Sequence, residues 1–244
     1  MQNYKLTIQY DGTKYNGWQR QRNTKNTLQE KFENVLSRMC GKETEIFASG
    51  RTDAGVHAKG QVANFKCETK LSCNEIADYL NCYLPEDVRV LSVVKADERF
   101  HSRLSAISKT YEYVIATKKP DVFIRKYVFE TEKTPDLDLM RTAADKLLGK
   151  HDFKGFSSVG RTKKSTVREI NFINIEEKDA VIKIAINADG FLYNMVRIIA
   201  GTLLDIGAGD LELSAIDKVF ETKVREYAGT TLPGKGLSLI EVQY

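Results

Sequence analysis

The most apolar stretch of the chain is FLYNMVRIIAGTLLDIG, residues 191–207, and Arg197 is its single basic residue. Four of its apolar side chains fall along one side of a helix: Met195, Ile198, Ile199 and Leu203. The stretch is shorter than the roughly 20 apolar residues that span a bilayer, so it predicts a core helix. A buried arginine without an anionic partner would destabilise the fold by about 3–5 kcal/mol. Arg197 therefore either pairs with a carboxylate or extends from the helix surface to solvent.

The remaining patterns alternate between strands and helices in both halves of the chain. YKLTIQY alternates as a half-buried strand, and a helical face begins at Leu28 and ends before Gly41. Ser72 and Glu75 have the spacing of a capping box. A helix is expected around 134–149, and a strand pair is expected to turn at Lys178-Asp179. Because the strands do not follow a strict β-α-β order, the pattern predicts an α+β fold.

The 244 residues are enough for two modest domains, and no flexible linker separates the halves. The break is expected near residues 103–107, which gives an N-terminal subdomain of residues 1–105 and a C-terminal subdomain of residues 106–244. The N-terminus reads as a strand and not as a signal peptide, so a cytoplasmic protein is expected. Without a sign of secretion, the four cysteines, Cys40, Cys67, Cys73 and Cys82, are expected to be reduced thiols.

The stretch GRTDAGVHA, residues 50–58, places Arg51 and Asp53 two residues apart between glycines, with His57 following. It lies in the connection between two predicted strands, where reactive groups commonly sit. Asp-Ala-Gly also forms ordinary turns. From this stretch alone a structural turn and a catalytic carboxylate are equally good interpretations.

The 37 basic and 33 acidic residues leave a net charge of +4, an excess that permits an RNA partner but does not argue for one. Local clusters of basic residues are more informative. One cluster, in GRTKKSTVRE, contains Arg161, Lys163 and Lys164, and a second surrounds Tyr15 and Trp18 with basic residues that include Arg20 and Arg22. A third places lysines beside Tyr111 and Tyr113. Cations neutralise phosphates and aromatic rings stack on unpaired bases, so such clusters suit RNA.

No metal or nucleotide cofactor is expected. The three histidines, His57, His101 and His151, are far apart in the sequence and have no metal-ligand spacing. The chain also has no phosphate-binding loop and no dinucleotide fingerprint.

Four stretches taken together resemble the tRNA pseudouridine synthases of the TruA type. They are YDGTKYNGWQRQ, ASGRTDAGVHAKGQVANF, RFHSRLSAISKTYEY and DGFLYNMVRIIAGTLL, in this order. The resemblance covers nearly the whole chain, from about Tyr4 to about Ile240. It implies an α+β fold of two similar subdomains, with largely antiparallel sheets that meet at a central active-site cleft.

The resemblance also implies a reaction and its residues. Members of the family isomerise uridine to pseudouridine at positions 38, 39 and 40 of the tRNA anticodon stem-loop, without cofactor or metal, as homodimers. The essential aspartate corresponds to Asp53, which attacks C1′ of the ribose or C6 of the base. Arg197 corresponds to the basic residue that pairs with this aspartate, and Tyr111 to the active-site tyrosine that stacks on the uracil. Arg51 would hold the turn or a phosphate, or help to extrude the base.

Two other classes of function compete with this interpretation. The basic and aromatic clusters alone would suit an RNA-binding or RNA-chaperone protein without catalysis. A metal-dependent hydrolase could use Asp53, His57 and further acids, although ligand spacing is missing. Under the pseudouridine synthase interpretation, RNA contacts are expected from eight residues: Arg20, Arg22, Arg51, His57, Tyr111, Arg161, Lys163 and Lys164.

Overall fold

The computed structural model describes residues 1–160 and 162–244. These residues form two compact units. The first is Met1–Ile107 together with Ser238–Tyr244, and the second is Ser108–Leu237. The division after Ile107 lies two residues beyond the expected boundary, and the C-terminal strand belongs to the first unit.

Both units combine helices with mainly antiparallel strands, which confirms the α+β class. The strands are β1 (Gln2–Tyr10), β2 (Ile46–Ala48), β3 (His57–Cys67), β4 (Val88–Ala96), β5 (Ser108–Ala116), β6 (Phe129–Glu130), β7 (Gly149–Asp152), β8 (Val167–Lys178), β9 (Val181–Ala188) and β10 (Leu237–Gln243). The helices are α1 (Leu28–Cys40), α2 (Cys73–Tyr83), α3 (Leu137–Asp145), α4 (Met195–Gly207) and α5 (Ala215–Thr222).

In the first unit, β1 lies between β3 and β4 and is antiparallel to both. β2 pairs antiparallel with β3, and β10 pairs with the start of β3 in parallel. The helix signals read from the sequence are confirmed here. Gly41 ends α1 in the left-handed conformation, with φ of 68°, and Ser72 and Glu75 form a complete capping box at α2.

In the second unit, β9 lies between β5 and β8, and β7 continues beyond β8; all three pairings are antiparallel. α4 packs against α3 and β5. The sequence predicted one apolar side for α4, but every residue of this helix except Arg197 is buried. Arg197 is half-buried. An apolar helix that is enclosed on all sides forms the centre of its unit.

Two boundaries differ from the sequence expectation. α3 ends at Asp145 and not near residue 149, because Gly149 has φ of 86° and already begins β7. The hairpin between β8 and β9 turns at Asp179-Ala180, one residue later than expected. Lys178 pairs directly with Val181, so the two residues between them form a tight turn in which both have positive φ.

The expectation of four reduced cysteines is wrong for two of them. Cys40 and Cys67 form a disulfide, and their Cα atoms lie 6.1 Å apart, within the usual range for such a bond. Cys73 and Cys82 are free thiols. The sequence could not show that the ends of α1 and β3 meet. Among the described residues, no helix has the length and apolarity needed to cross a membrane.

Ala180 offers a test of the hairpin, because alanine is strained at φ of 62°. Left-handed backbone costs a residue with a Cβ about 1–2 kcal/mol, so Ala180→Gly is expected to stabilise the fold. Thermal unfolding should show a melting temperature a few degrees higher. Ala185→Gly, within β9, is the matched control and should lower it, since glycine weakens a strand interior. A lower melting temperature for Ala180→Gly would contradict the assigned turn.

Candidate active site

The connection between β2 and β3 carries Asp53 in a tight turn. The Val56 N–H donates to the Asp53 carbonyl oxygen at 3.1 Å, and Gly55 between them has φ of 75°, a conformation that glycine adopts without strain. Asp53 is half-buried, whereas Arg51 is exposed. The turn interpretation of this stretch is therefore correct, and it leaves room for a chemical role of the carboxylate.

This turn is held in place by the segment that follows β1. The Trp18 N–H donates to the Thr52 carbonyl oxygen at 2.9 Å, and the Gly55 N–H donates to the Tyr15 carbonyl oxygen at 3.3 Å. The hydroxyl groups of Tyr10 and Thr52 are hydrogen-bonded at 2.7 Å. Burial raises the pKa of Tyr10 to about 12, so its hydroxyl stays protonated at neutral pH. The residues on both sides of Asp53 are thus fixed.

Two glycines allow this segment to approach the turn closely. A Cβ on Gly12 would lie 1.9 Å from the Val56 carbonyl oxygen, and one on Gly17 would lie 2.7 Å from that of Thr52. Gly17 also has φ of 89°. The sequence patterns do not predict that these two glycines allow the segment to pack against the Asp53 turn. The available signal is the repeated glycine in YDGTKYNGW, a stretch that we use in the sequence analysis only for its basic and aromatic residues and for the family resemblance.

His57 lies inside this structure, with 4% of its surface exposed. Its Nδ1 accepts the Gly12 N–H at 3.0 Å and lies 3.2 Å from an Asp11 carboxylate oxygen. A nitrogen that accepts from Gly12 carries no proton of its own, so we favour the hydrogen bond over an ion pair through this atom. This placement indicates a structural role for His57 and does not support the prediction that His57 contacts RNA.

In the second unit, Arg197 occupies the first turn of α4, as its third residue. Its Nε donates to the Leu232 carbonyl oxygen at 2.6 Å, and its Nη1 donates to Asn194 Oδ1 at 2.8 Å. The N-terminal end of a helix is the positive end of its dipole, where anions are favoured and cations are not. A guanidinium held there adds to a positive potential that suits an anionic partner.

The segment that receives Arg197 is itself anchored along α4. Thr202 accepts the Gly229 N–H at 2.9 Å, and Asp205 accepts the Thr230 N–H at 2.9 Å. Lys133 forms an ion pair with the Asp205 carboxylate, with 2.7 Å between Nζ and Oδ1. The loop that provides the Leu232 carbonyl is therefore fixed by side chains of the helix that carries Arg197.

Tyr111 and Tyr113 lie on β5 and are both buried, Tyr111 with 8% of its surface exposed. The Tyr111 ring packs edge-on against Phe191, with centroids 5.1 Å apart. Tyr113 donates its hydroxyl to the Pro233 carbonyl oxygen at 2.7 Å. Burial raises the pKa of Tyr113, and the charge of Arg197 opposes that shift.

The structure divides the predicted RNA-contact residues. Trp18 and Tyr15 are core residues, with 1% and 5% exposed. The Trp18 ring is already stacked on Phe32, with centroids 5.8 Å apart, and the Tyr15 hydroxyl donates to the Asp87 carboxylate, so the expectation that these two rings stack on bases is wrong. Arg20 forms an ion pair with the buried Glu33 at 3.0 Å. Arg20 is nevertheless exposed, and so are Arg22, Arg51, Lys163 and Lys164. Arg161 lies outside the described residues.

Within the described part of the chain, no group of three or more His, Cys, Asp or Glu side chains is arranged to hold a metal ion. The hydrolase interpretation therefore gains no support from these residues.

Comparison with known proteins identifies the family. A family model described as tRNA pseudouridine synthase matches residues 6–104 and 143–244. A protein named tRNA pseudouridine synthase A 2 from Bacillus cereus is 44% identical over 100% of both chains. One named tRNA pseudouridine synthase A from a Bacillus species is 47% identical over 94% of both, and one from Acetivibrio thermocellus is 40% identical over 100% of both. The chain belongs to the tRNA pseudouridine synthase family.

As a member of this family, the protein is an isomerase that acts on uridine in tRNA. The matched ranges include Asp53 and Arg197, but Tyr111 falls in the gap between them. The family model therefore does not bear on Tyr111, which lies in the motif KTYEY and within the span matched by the full-length relatives.

Gly12→Ala tests how the turn is held. The added methyl group would push the Val56 carbonyl away, and we expect a loss of about 1–3 kcal/mol in the free energy of unfolding. Amide hydrogen exchange should accelerate at Trp18 and Gly55, whose bonds join the two segments. Gly160→Ala is the matched control, because a Cβ there meets nothing within 4 Å. Equal stability of the two variants would contradict the close approach.

Proposed function

We propose that this enzyme converts uridine to pseudouridine at positions 38, 39 and 40 of the tRNA anticodon stem-loop, with Asp53 as the nucleophile. The observation that carries the proposal is the turn at Asp53. The backbone on both sides of this residue is hydrogen-bonded to another segment, and the neighbouring Arg51 is exposed and available to RNA. A fixed, half-buried carboxylate beside an exposed cation suits a reaction on a nucleotide.

The reaction needs an ionised carboxylate and no redox change. In one route, an Asp53 oxygen attacks C1′ while the N1–C1′ bond breaks and its electron pair goes to the uracil. The uracil turns, C5 bonds to C1′ as the ester bond to Asp53 breaks, the proton on C5 leaves to a base, and N1 takes up a proton to give neutral pseudouridine. In the other route the carboxylate first adds to C6. Both routes use the carboxylate as a nucleophile.

We propose that Arg197 supplies the positive charge that keeps Asp53 ionised. An arginine stays charged at every physiological pH and can bind a carboxylate through two parallel hydrogen bonds. The position of Arg197 at the positive end of α4 supports this role, because the helix dipole and the guanidinium both favour an anionic partner.

Tyr111 is the proposed partner of the target base. Its ring would stack on the uracil, and its phenol would help to remove the C5 proton. Extrusion of a base from its stack costs a few kcal/mol, and stacking in the site offsets part of that cost. Arg51 would support the extruded nucleotide through a phosphate.

The proposed RNA-binding surface consists of Arg22, Arg51, Lys163 and Lys164, whose side chains are exposed, together with Arg20 and Arg161 from the sequence analysis. We further propose that the enzyme works as a homodimer in the cytoplasm. These parts rest on the family resemblance, whereas the exposure of the four cations supports the surface.

The decisive experiment is tritium release from unmodified tRNA that carries [5-³H]uridine, in excess EDTA. We expect release by the wild-type protein and none above background by Asp53→Asn, because the amide cannot form the covalent bond. Arg197→Met is expected to lose release as well, since Asp53 then lacks its compensating charge. Asp179→Asn, in the β8–β9 turn, is the matched control and should keep full activity.

The same experiment separates the alternatives. Binding of tRNA without release by the wild-type protein would favour an RNA-binding protein without catalysis. Activity that disappears in EDTA would favour a metal-dependent enzyme. Release by Asp53→Asn at more than a few per cent of the wild-type rate would remove Asp53 from the nucleophile role.

A second prediction concerns Lys163 and Lys164. Replacement of both by alanine should weaken tRNA binding and leave kcat unchanged, because these side chains would contact phosphates and not the reacting base. The slope of log K against log salt should fall by about 0.7–0.9 for each lost contact. The control is the double variant Lys178→Ala, Lys183→Ala, which removes the same charge from the β8–β9 hairpin. An unchanged slope would remove the two lysines from the RNA surface.

A further inference from the structure

Asn194 stands at the start of α4 in an unusual conformation. Its φ of 61° and ψ of 4° are left-handed, and its side chain does not cap its own helix. An asparagine at this position normally has extended backbone and accepts an N–H of the first turn. Asparagine tolerates left-handed backbone better than other residues with a Cβ, and residues held in this region are found at functional sites.

The hydrogen bonds of Asn194 fix which way its amide points. A guanidinium can only donate, so the atom facing Arg197 Nη1 at 2.8 Å must be the carbonyl oxygen Oδ1. The amide nitrogen Nδ2 then faces Ser158 and donates to its Oγ at 3.0 Å. The left-handed backbone turns the side chain away from the helix end and between these two partners.

Ser158 is joined to the same turn a second time, because its N–H donates to the Tyr193 carbonyl oxygen at 3.0 Å. Ser158 begins the segment that leads to Lys163 and Lys164. The start of α4 and the start of this basic segment are thus connected by one backbone bond and one side-chain bond.

Two hydrogen bonds from different directions help to orient the Arg197 guanidinium. Leu232 accepts from Nε at 2.6 Å and Asn194 accepts from Nη1 at 2.8 Å. A single hydrogen bond would still let the planar guanidinium rotate about the axis of that bond. A second bond from a different direction restricts this rotation and so helps to fix the plane. Both acceptors are neutral, so they orient the cation without cancelling its charge.

We infer that Asn194 is a positioning residue, which sets the plane of the Arg197 guanidinium and is itself set by Ser158. The inference rests on the proposed function in so far as Arg197 serves the reaction. Asn194 touches neither substrate nor reacting atoms in this scheme, and it acts through Arg197 alone. A displacement of a charged group by about 1 Å can lower a rate by about 10²-fold.

Asn194→Gly is the main test, because glycine adopts the left-handed backbone and removes only the side chain. We expect kcat for tRNA at saturation to fall by about 10²-fold while the Kd for tRNA stays within about twofold and the melting temperature does not fall. Ser158→Ala should give a smaller loss, and the double variant should be no worse than Asn194→Gly alone. Ala180→Gly, which relieves strain in left-handed backbone elsewhere, should keep the wild-type kcat.

A second readout does not depend on activity. In protein with isotope-labelled arginine, the Nη signals of Arg197 should be separate in the wild type, because rotation of the group is restricted, and should exchange faster in Asn194→Gly, which lacks the bond to Nη1. The Arg197→Lys spectrum assigns them. Averaged signals in the wild type, or a wild-type kcat in Asn194→Gly, would overturn the inference, and independent losses in the double variant would remove Ser158 from it. If the wild type released no tritium, the proposed function would fail, and the Nη signals would still decide the role of Asn194.

Discussion

The arrangement of the first unit depends on the contact between two stretches of backbone, the segment after β1 and the turn that carries Asp53. The segment after β1 contains one turn of 3-10 helix, Gly12–Lys14, and its Trp18 N–H and Tyr15 carbonyl oxygen are hydrogen-bonded to the turn. The contact is close enough that a Cβ on Gly12 would overlap the Val56 carbonyl. These backbone bonds fix the position of the Asp53 Cα and the direction of its Cα–Cβ bond, from which the carboxylate extends. The turn therefore holds the backbone of Asp53 in one place, and a fixed backbone is one part of what electrostatic preorganisation requires.

In the second unit, side chains of α4 help to hold the segment that contacts the candidate residue Arg197. α4 is enclosed by apolar residues over its whole length, and it fixes the neighbouring loop through Thr202 and Asp205. That loop returns a carbonyl oxygen to Arg197. The helix thus builds the support for its own arginine, and a change in the packing of α4 would move the support and the cation together.

Periodicity and capping signals predicted the α+β class, the core helix and the capping box at Ser72, because these depend on residues close together in the sequence. The resemblance also singled out Asp53, Arg197 and Tyr111, whose roles the fold alone does not test. Three features could not be predicted from local patterns. The contact of Gly12 with Val56, the disulfide of Cys40 with Cys67 and the burial of Trp18 all depend on which distant segments meet. An aromatic residue among cations looks the same in the sequence whether its ring faces RNA or the core.

The partners of two arginines show why the environment of a cation matters more than its presence in a basic cluster. Arg20 is paired with the carboxylate of Glu33, so much of its charge is already balanced within the unit, and its field at an RNA phosphate is weakened accordingly. Arg197 is oriented by a carbonyl and an amide, which restrict its motion and leave its charge in place. A guanidinium that is oriented in advance needs little reorganisation to serve an anion beside it. The two neutral acceptors therefore hold Arg197 without taking the place of an anionic partner, whereas the Glu33 carboxylate is itself the partner of Arg20.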